Sequence, residues 1–123
     1  MSTSPLVLIA DDEPLLLKML TKVLKRMGNQ VIAVSDGSSA VDAFMVQPEE
    51  FDLVVLDMNM PIMDGAEAFH AISAQSSRTP VLISSGDSRD EVLKRLKIEP
   101  AGIISKPYNL NELRTALHEF LPR

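Results

Sequence analysis

Five short apolar segments, separated by longer amphipathic ones, constrain the fold of this 123-residue chain more than any other feature. They are rich in Val, Ile and Leu, and they span residues 6–10, 31–34, 53–56, 81–83 and 102–104. Apolar runs of this length that do not alternate with polar residues are typical of parallel strands covered by helices on both faces. We therefore expect five central β-strands.

The segments between these strands carry the signals of helices. Pro14 follows three acidic residues, and apolar residues then recur at helical spacing until Gly28. A second helix is expected after Asp36-Gly37. Three more begin with pairs at capping-box spacing, namely Asp64 with Glu67, Ser88 with Glu91, and Asn109 with Glu112.

Strict alternation of strand and helix predicts a single α/β domain, a doubly wound parallel sheet with right-handed crossovers. A chain of this length fits one domain, since domains usually span roughly 100–200 residues. We expect residues 1–5 to form a flexible N-terminal tail and residues 6–121 to form the domain.

Composition excludes several classes of function. The chain has 12 Lys and Arg against 17 Asp and Glu, a net charge of −5, which argues against direct nucleic-acid binding. It has no cysteine, so disulfides and thiolate chemistry are excluded. No apolar run approaches the roughly 18–20 residues of a membrane span, and no signal peptide is recognisable at the start. We expect a cytoplasmic protein without membrane insertion.

Polar residues that follow the strands indicate where chemistry would occur. Ligands of doubly wound sheets bind beyond the carboxyl ends of the strands, and the residues there are Asp11 and Asp12, Asp57, Ser84 or Ser85, and Lys106. Converging carboxylates repel one another unless a cation intervenes, and carboxylate oxygens suit Mg²⁺. A lysine and a hydroxyl would stabilise a phosphoryl group in transfer, and a carboxylate is a known phosphoryl acceptor.

Each of these features also has a purely structural explanation. The acidic residues 11–13 could serve only to cap a helix, and Asp57 could belong to a turn that contains Pro61. The serines could be edge hydroxyls of the core, and Lys106 could lie at the entry of an exposed loop. Their occurrence together at one edge of the sheet favours the functional interpretation.

The sequence resembles the receiver domain of two-component response regulators over residues 6–121. The motifs that carry the resemblance are Asp11-Asp12, the nine residues from Asp57 to Gly65 (DMNMPIMDG), residues 80–85, and Lys106-Pro107. The resemblance implies a flavodoxin-like (βα)5 fold with strand order 2-1-3-4-5. It leaves open a chemotaxis-type single-domain receiver or the receiver of a hybrid sensor kinase.

The resemblance also implies a role for each site residue. Asp57 is the expected phosphoacceptor, and Mg²⁺ is expected to bind Asp11, Asp12, Asp57 and the backbone carbonyl of Asn59. Ser85, rather than Ser84, is the expected hydroxyl that turns toward the phosphoryl group. Lys106 is the expected phosphate-binding lysine, and its peptide bond to Pro107 is commonly cis in this family.

The sequence departs from the family where an aromatic switch residue is usual, since Ile103 occupies that position. In place of the usual inward movement of a ring, we expect either a rotamer change of Ile103 or backbone shifts near residues 85–89. Tyr108 is a different position, and we expect it to pack or to border a partner surface.

The first helix presents a basic stripe opposite its apolar face, formed by Lys18, Lys22, Lys25 and Arg26. Such a stripe is usually a solvated surface; the alternative is a docking surface for a kinase or a phosphotransfer helix bundle. Leu15 lies on the same polar side near the expected metal site, which favours docking.

The sequence therefore predicts a phosphorylation switch of a two-component phosphorelay that catalyses only its own phosphorylation and dephosphorylation. The expected partners are a sensor histidine kinase or histidine phosphotransfer protein, and a downstream protein target. One alternative is a phosphatase of the haloacid-dehalogenase kind, although Asn59 stands where those enzymes usually place a second aspartate. The other is an adaptor that no longer uses phosphate.

Overall fold

The computed structural model describes residues 4–76 and 78–121. Within them, strands and helices alternate along the chain. The strands are β1 (Leu6–Ala10), β2 (Gln30–Val34), β3 (Leu53–Asp57), β4 (Val81–Ser85) and β5 (Gly102–Ser105). The helices are α1 (Pro14–Arg26), α2 (Gly37–Val46), α3 (Gly65–Gln75), α4 (Arg89–Leu96) and α5 (Leu110–His118). None of the helices in these ranges combines the length and apolar character needed to cross a membrane.

The strands form one parallel sheet in the order β2-β1-β3-β4-β5, so the expected flavodoxin-like fold is confirmed. The chain runs from β1 outward to β2, and then returns to place β3 on the other side of β1. The strand order therefore reverses between β1 and β3. Doubly wound sheets bind their ligands beyond this reversal.

Alternate residues of the central strands face two separate apolar layers, as the period of a strand requires. Leu8 and Leu56 belong to the layer packed beneath α2, α3 and α4. Ile9 and Val55 belong to the layer packed beneath α1 and α5. Helices thus cover both faces of the sheet, which explains the uninterrupted apolar runs of β1 and β3.

Three strands extend further toward the site than their apolar runs predict. The ladder between β3 and β4 continues to Asp57 opposite Ser84, and the ladder between β4 and β5 continues to Ser85 opposite Ser105. Backbone pairing requires no apolar side chain, so polar residues occupy the last positions of these strands. The candidate site residues Asp57, Ser84 and Ser85 are held directly by the sheet.

The predicted helix starts agree with the structure. All three capping boxes form, at Asp64, Ser88 and Asn109. The Asp36 side chain accepts a hydrogen bond from the Ser39 N–H at the start of α2. Because each cap satisfies backbone N–H groups that have no partner within the helix, these residues fix where the loops beside the site end.

The N-terminal tail predicted for residues 1–5 is described only from Ser4 onward, and residues 1–3 lie outside the described residues. The Pro5 carbonyl accepts a hydrogen bond of 2.8 Å from the Gln30 N–H, next to the first pair of the β1–β2 ladder.

Candidate functional site

Three aspartates meet where the strand order reverses. Asp57 ends β3 and is 4% exposed, while Asp11 follows β1 and is 1% exposed; Asp12 beside it is exposed. One carboxylate oxygen from each of the three lies within 4.8 Å of the others. The structure therefore brings together the three carboxylates that the sequence assigned to a metal site.

Lys106, which follows β5, places its ammonium group against these carboxylates. Its Nζ lies 3.1 Å from Asp11 Oδ2 and 3.4 Å from Asp57 Oδ1. It also lies 2.8 Å from Oε1 of Glu13, a residue that the sequence analysis assigned only to the start of a helix. Both Asp11 and Glu13 of the acidic run 11–13 thus pair with Lys106. The peptide bond from Lys106 to Pro107 is cis, as expected.

The pKa of Asp57 reflects this setting. Burial, followed by the neighbouring charge of Asp11, raises the pKa of Asp57 to about 6. Lys106 and the backbone N–H of Asn59, which lies 3.4 Å from Asp57 Oδ1, act in the opposite direction. Asp57 is therefore ionised at neutral pH, but its negative charge is energetically unfavourable in this site. A further cation would reduce that unfavourable energy.

Lys106 remains a cation in this site. Burial alone would lower the pKa of Lys106, but its contacts with Glu13 and Asp11 and the charge of Asp57 raise that pKa well above its usual value. The site thus contains one fixed positive charge that can contact an anionic group bound to Asp57.

The carboxylates have the chemistry of a divalent-cation site. Asp11 Oδ2 is buried and, among the described residues, accepts no hydrogen bond of good geometry, although Lys106 lies at ion-pair distance. Hard oxygen donors of this kind suit Mg²⁺, which needs only one or two protein carboxylates besides water and phosphate oxygens. Asp11, Asp12 and Asp57 fit such an ion; the expected role of the Asn59 carbonyl stays a prediction.

Both candidate hydroxyl residues are buried at the end of β4. Ser84 lies opposite Asp57 in the ladder, and within the described part of the chain its Oγ has no hydrogen-bond partner. Ser85 Oγ accepts a hydrogen bond of 2.9 Å from the Asp87 N–H in the following loop. The assignment of the phosphoryl-binding hydroxyl to Ser85 stays a prediction. To turn toward a phosphoryl group, the Ser85 hydroxyl would have to give up its hydrogen bond with the Asp87 N–H.

Ile103, which stands at the usual position of the aromatic switch, and Tyr108 pack in different apolar layers. Ile103 on β5 is half-buried against the layer beneath α2, α3 and α4. Tyr108 packs against the layer beneath α1 and α5. Tyr108 therefore packs against the fold, as expected, and it does not share the layer of Ile103.

Comparison with known proteins agrees with this geometry. The family described as response regulator receiver domain matches residues 7–118. The autoinducer 1 sensor kinase/phosphatase LuxN of Vibrio campbellii is 32% identical over 118 residues, which are 96% of this chain and 14% of LuxN. The sensor protein GacS of Pseudomonas syringae is 37% identical over 118 residues, which are 91% of this chain and 13% of GacS. The chain thus spans about a seventh of the length of these two relatives.

Among solved structures, the chemotaxis protein CheY4 of Vibrio cholerae is similar with a TM-score of 0.86 and 30% sequence identity. The similarity covers 97% of this chain and 100% of the CheY4 chain. It therefore extends over the sheet and its helices as a whole.

We expect Asp57→Asn to stabilise the magnesium-free protein at about pH 8. Since the pKa of Asp57 is raised from 3.8 to about 6 on folding, the folded state binds more protons between these values. Stability of the wild type therefore falls as the pH rises through this window, by up to about 3 kcal/mol. Thermal unfolding in EDTA, followed by circular dichroism, measures the difference.

The gain should shrink as the pH falls toward about 4, where the folded wild type is already protonated at Asp57. Asp42→Asn, at an exposed position of α2, is the matched control and should change stability little. Equal or lower stability of Asp57→Asn at about pH 8 would contradict an unfavourable negative charge at Asp57.

Proposed function

Because the chain belongs to the family of response regulator receiver domains, which act in two-component signalling, we propose that its Asp57 carboxylate accepts a phosphoryl group. The observation that carries this proposal is the buried Asp57 carboxylate, close to the oxygens of Asp11 and Asp12 and 3.4 Å from Lys106 Nζ.

In the proposed transfer, an Asp57 carboxylate oxygen forms a bond to phosphorus while the bond from phosphorus to the donor breaks. When the donor is a phosphohistidine, the ring nitrogen keeps the electron pair and takes a proton from solvent. Asp57 needs no general base, because with a pKa of about 6 it is already ionised at neutral pH. Catalysis is then mainly a matter of positioning and charge neutralisation.

Asp11, Asp12, Asp57 and the backbone carbonyl of Asn59 would hold Mg²⁺. When bound, the ion supplies positive charge to the carboxylates and to the phosphoryl oxygens. Lys106 supplies a second, permanent positive charge that orients the phosphoryl group. The Asn59 N–H donates to Asp57 Oδ1 and so orients the carboxylate before transfer.

Phosphorylation then acts as a switch rather than as a step of substrate turnover. We propose that the Ser85 hydroxyl leaves the Asp87 N–H and turns toward the phosphoryl group, which favours a second arrangement of α4, β5 and α5. A full reversal of such an equilibrium requires roughly 5 kcal/mol of differential stabilisation. With isoleucine at position 103, a change of its rotamer or a backbone shift over residues 85–89 would transmit the change.

A groove beside Lys106 has the features expected of a docking surface for the phosphodonor. A groove of about 570 Å³ is lined by Glu13, Leu15, Leu16, Met19, Lys106, Pro107 and Tyr108. Leu15 is 83% exposed at its edge, and the basic stripe of α1 is exposed along the same helix. We propose that a sensor histidine kinase or a histidine phosphotransfer protein binds here in the cytoplasm, and that a downstream protein binds the surface formed by α4, β5 and α5.

Acetyl phosphate with Mg²⁺ should add the mass of one phosphoryl group to the wild type, because a small donor needs only the residues of the site. Asp57→Asn should remain unlabelled, and EDTA should slow labelling of the wild type at least about tenfold. Intact-protein mass spectrometry measures both results, with Asp42→Asn as a control that labels like the wild type.

An unlabelled wild type would contradict the phosphoacceptor function and favour a phosphate-independent adaptor. Continuous release of phosphate from a phosphate ester, beyond one equivalent of protein, would favour the phosphatase instead. Asn59 in place of a second aspartate argues against that outcome.

Leu15→Ser should slow phosphoryl transfer from a protein donor but leave labelling by acetyl phosphate within about twofold. An apolar contact at a protein interface contributes to binding the protein donor, so transfer should fall about fivefold or more. The probe is a phosphorylated histidine phosphotransfer domain that labels the wild type.

Val46→Ser is the matched control, since Val46 is similarly exposed but ends α2, which packs on the other face of the sheet from α1. Equal transfer rates for Leu15→Ser and the wild type would exclude Leu15 from the docking surface.

A further inference from the structure

Arg95 on α4 joins two loops that border the site from different strands. Its guanidinium lies 3.3 Å from Asn59 Oδ1 and 3.0 Å from Asp64 Oδ2, at the two ends of the loop between β3 and α3. It also lies 3.9 Å from Asp87 Oδ2, in the loop between β4 and α4. No local sequence pattern predicts the contacts of Arg95 with Asn59 and Asp64, because these residues lie 36 and 31 positions away along the chain.

Two residues held by Arg95 in turn hold groups of the site through their backbone. The Asn59 N–H donates to Asp57 Oδ1 at 3.4 Å, and the Asp87 N–H donates to Ser85 Oγ at 2.9 Å. Arg95 therefore contacts one residue that hydrogen-bonds to the proposed phosphoacceptor and another that hydrogen-bonds to the proposed phosphoryl-binding hydroxyl. The remaining contact, with Asp64, ties the same guanidinium to the N-cap of α3.

The position of Arg95 is itself well defined. Its neighbours Val92 and Leu96 on α4 are fully buried in the layer beneath α2, α3 and α4. The Arg95 side chain is 35% exposed, so its charge is partly shielded from water. A planar guanidinium can serve several acceptors at fixed angles, which a lysine ammonium cannot do.

We propose that Arg95 is a positioning residue for phosphoryl transfer to Asp57, acting by holding Asn59 and Asp87 beside the reacting groups. The inference rests on the proposed phosphoacceptor function. In the transfer, the phosphorus–oxygen bond of acetyl phosphate breaks, acetate leaves with the electron pair, and the Asp57 oxygen bonds to phosphorus. Small displacements of the groups that orient such a reaction lower its rate far more than they lower stability.

A second arginine of α4, which pairs with a residue beyond the end of the helix, separates positioning from simple surface charge. Arg89 lies 3.2 Å from Glu99, and the two side chains are 60% and 74% exposed. Exposed pairs of this kind contribute little to stability. The part of the chain that the structure describes shows no ion pair between Arg89 and the loops beside Asp57.

The experiment measures the rate constant for labelling of the full chain by acetyl phosphate at saturating Mg²⁺, together with thermal unfolding. Arg95→Met keeps the aliphatic length of the side chain but removes all three polar contacts, and should lower the rate constant about 3- to 10-fold. Arg95→Lys should recover part of the loss, since one of the contacts can be kept. Arg89→Met should stay within about twofold of the wild type, and all variants should unfold at nearly the same temperature.

The double variant Asn59→Ala/Arg95→Met gives a readout that a purely structural role would not change. If Arg95 acts through Asn59, the effect of Arg95→Met should be smaller in the Asn59→Ala background. A rate constant for Arg95→Met within twofold of the wild type, or an equal loss in Arg89→Met, would overturn the proposal. A wild type that acetyl phosphate does not label would overturn the phosphoacceptor function itself, and this inference with it.

Discussion

The electrostatic balance between the buried carboxylates of Asp11 and Asp57 and the ammonium group of Lys106 is the interaction on which the rest of this structure depends. Two carboxylates at the end of adjacent strands repel each other, and burial adds to the cost of their charges. Lys106 offsets this cost only in part, since the pKa of Asp57 remains raised to about 6. The site is therefore prepared for a further cation, and Lys106 could contact an anionic group placed beside Asp57.

The parallel sheet supplies the rigidity that this balance requires. β1 and β3 are neighbours at the reversal of strand order, and buried apolar layers on both faces hold them there. The loops that follow the strands border the site, and the helix caps and the contacts of Arg95 hold these loops. The start of α3 also lies close to the end of β3, because Gly65 has no Cβ that would collide with the Asp57 carbonyl oxygen. Existing contacts through Asn59 and Arg95 thus connect Asp57 with α4.

Much of this arrangement could be predicted from the sequence, for identifiable physical reasons. The apolar runs located the strands, and the capping pairs located three helix starts, because both depend on local patterns. The strand order came from the resemblance alone, since alternation does not determine where the chain reverses. The pairing of Glu13 with Lys106 across 93 residues of sequence and the contacts of Arg95 could not be predicted. They depend on tertiary packing that no local pattern contains.

Calorimetric titration with Mg²⁺ tests the central claim most directly, because it reports on the carboxylates before any phosphoryl group is present. The account predicts binding of one ion by the wild type, weakened at least about tenfold in Asp12→Asn, whose exposed side chain can be changed without disturbing the core. Asp42→Asn should bind as the wild type does. Absence of Mg²⁺ binding by the wild type, or equal affinity in Asp12→Asn, would contradict the account.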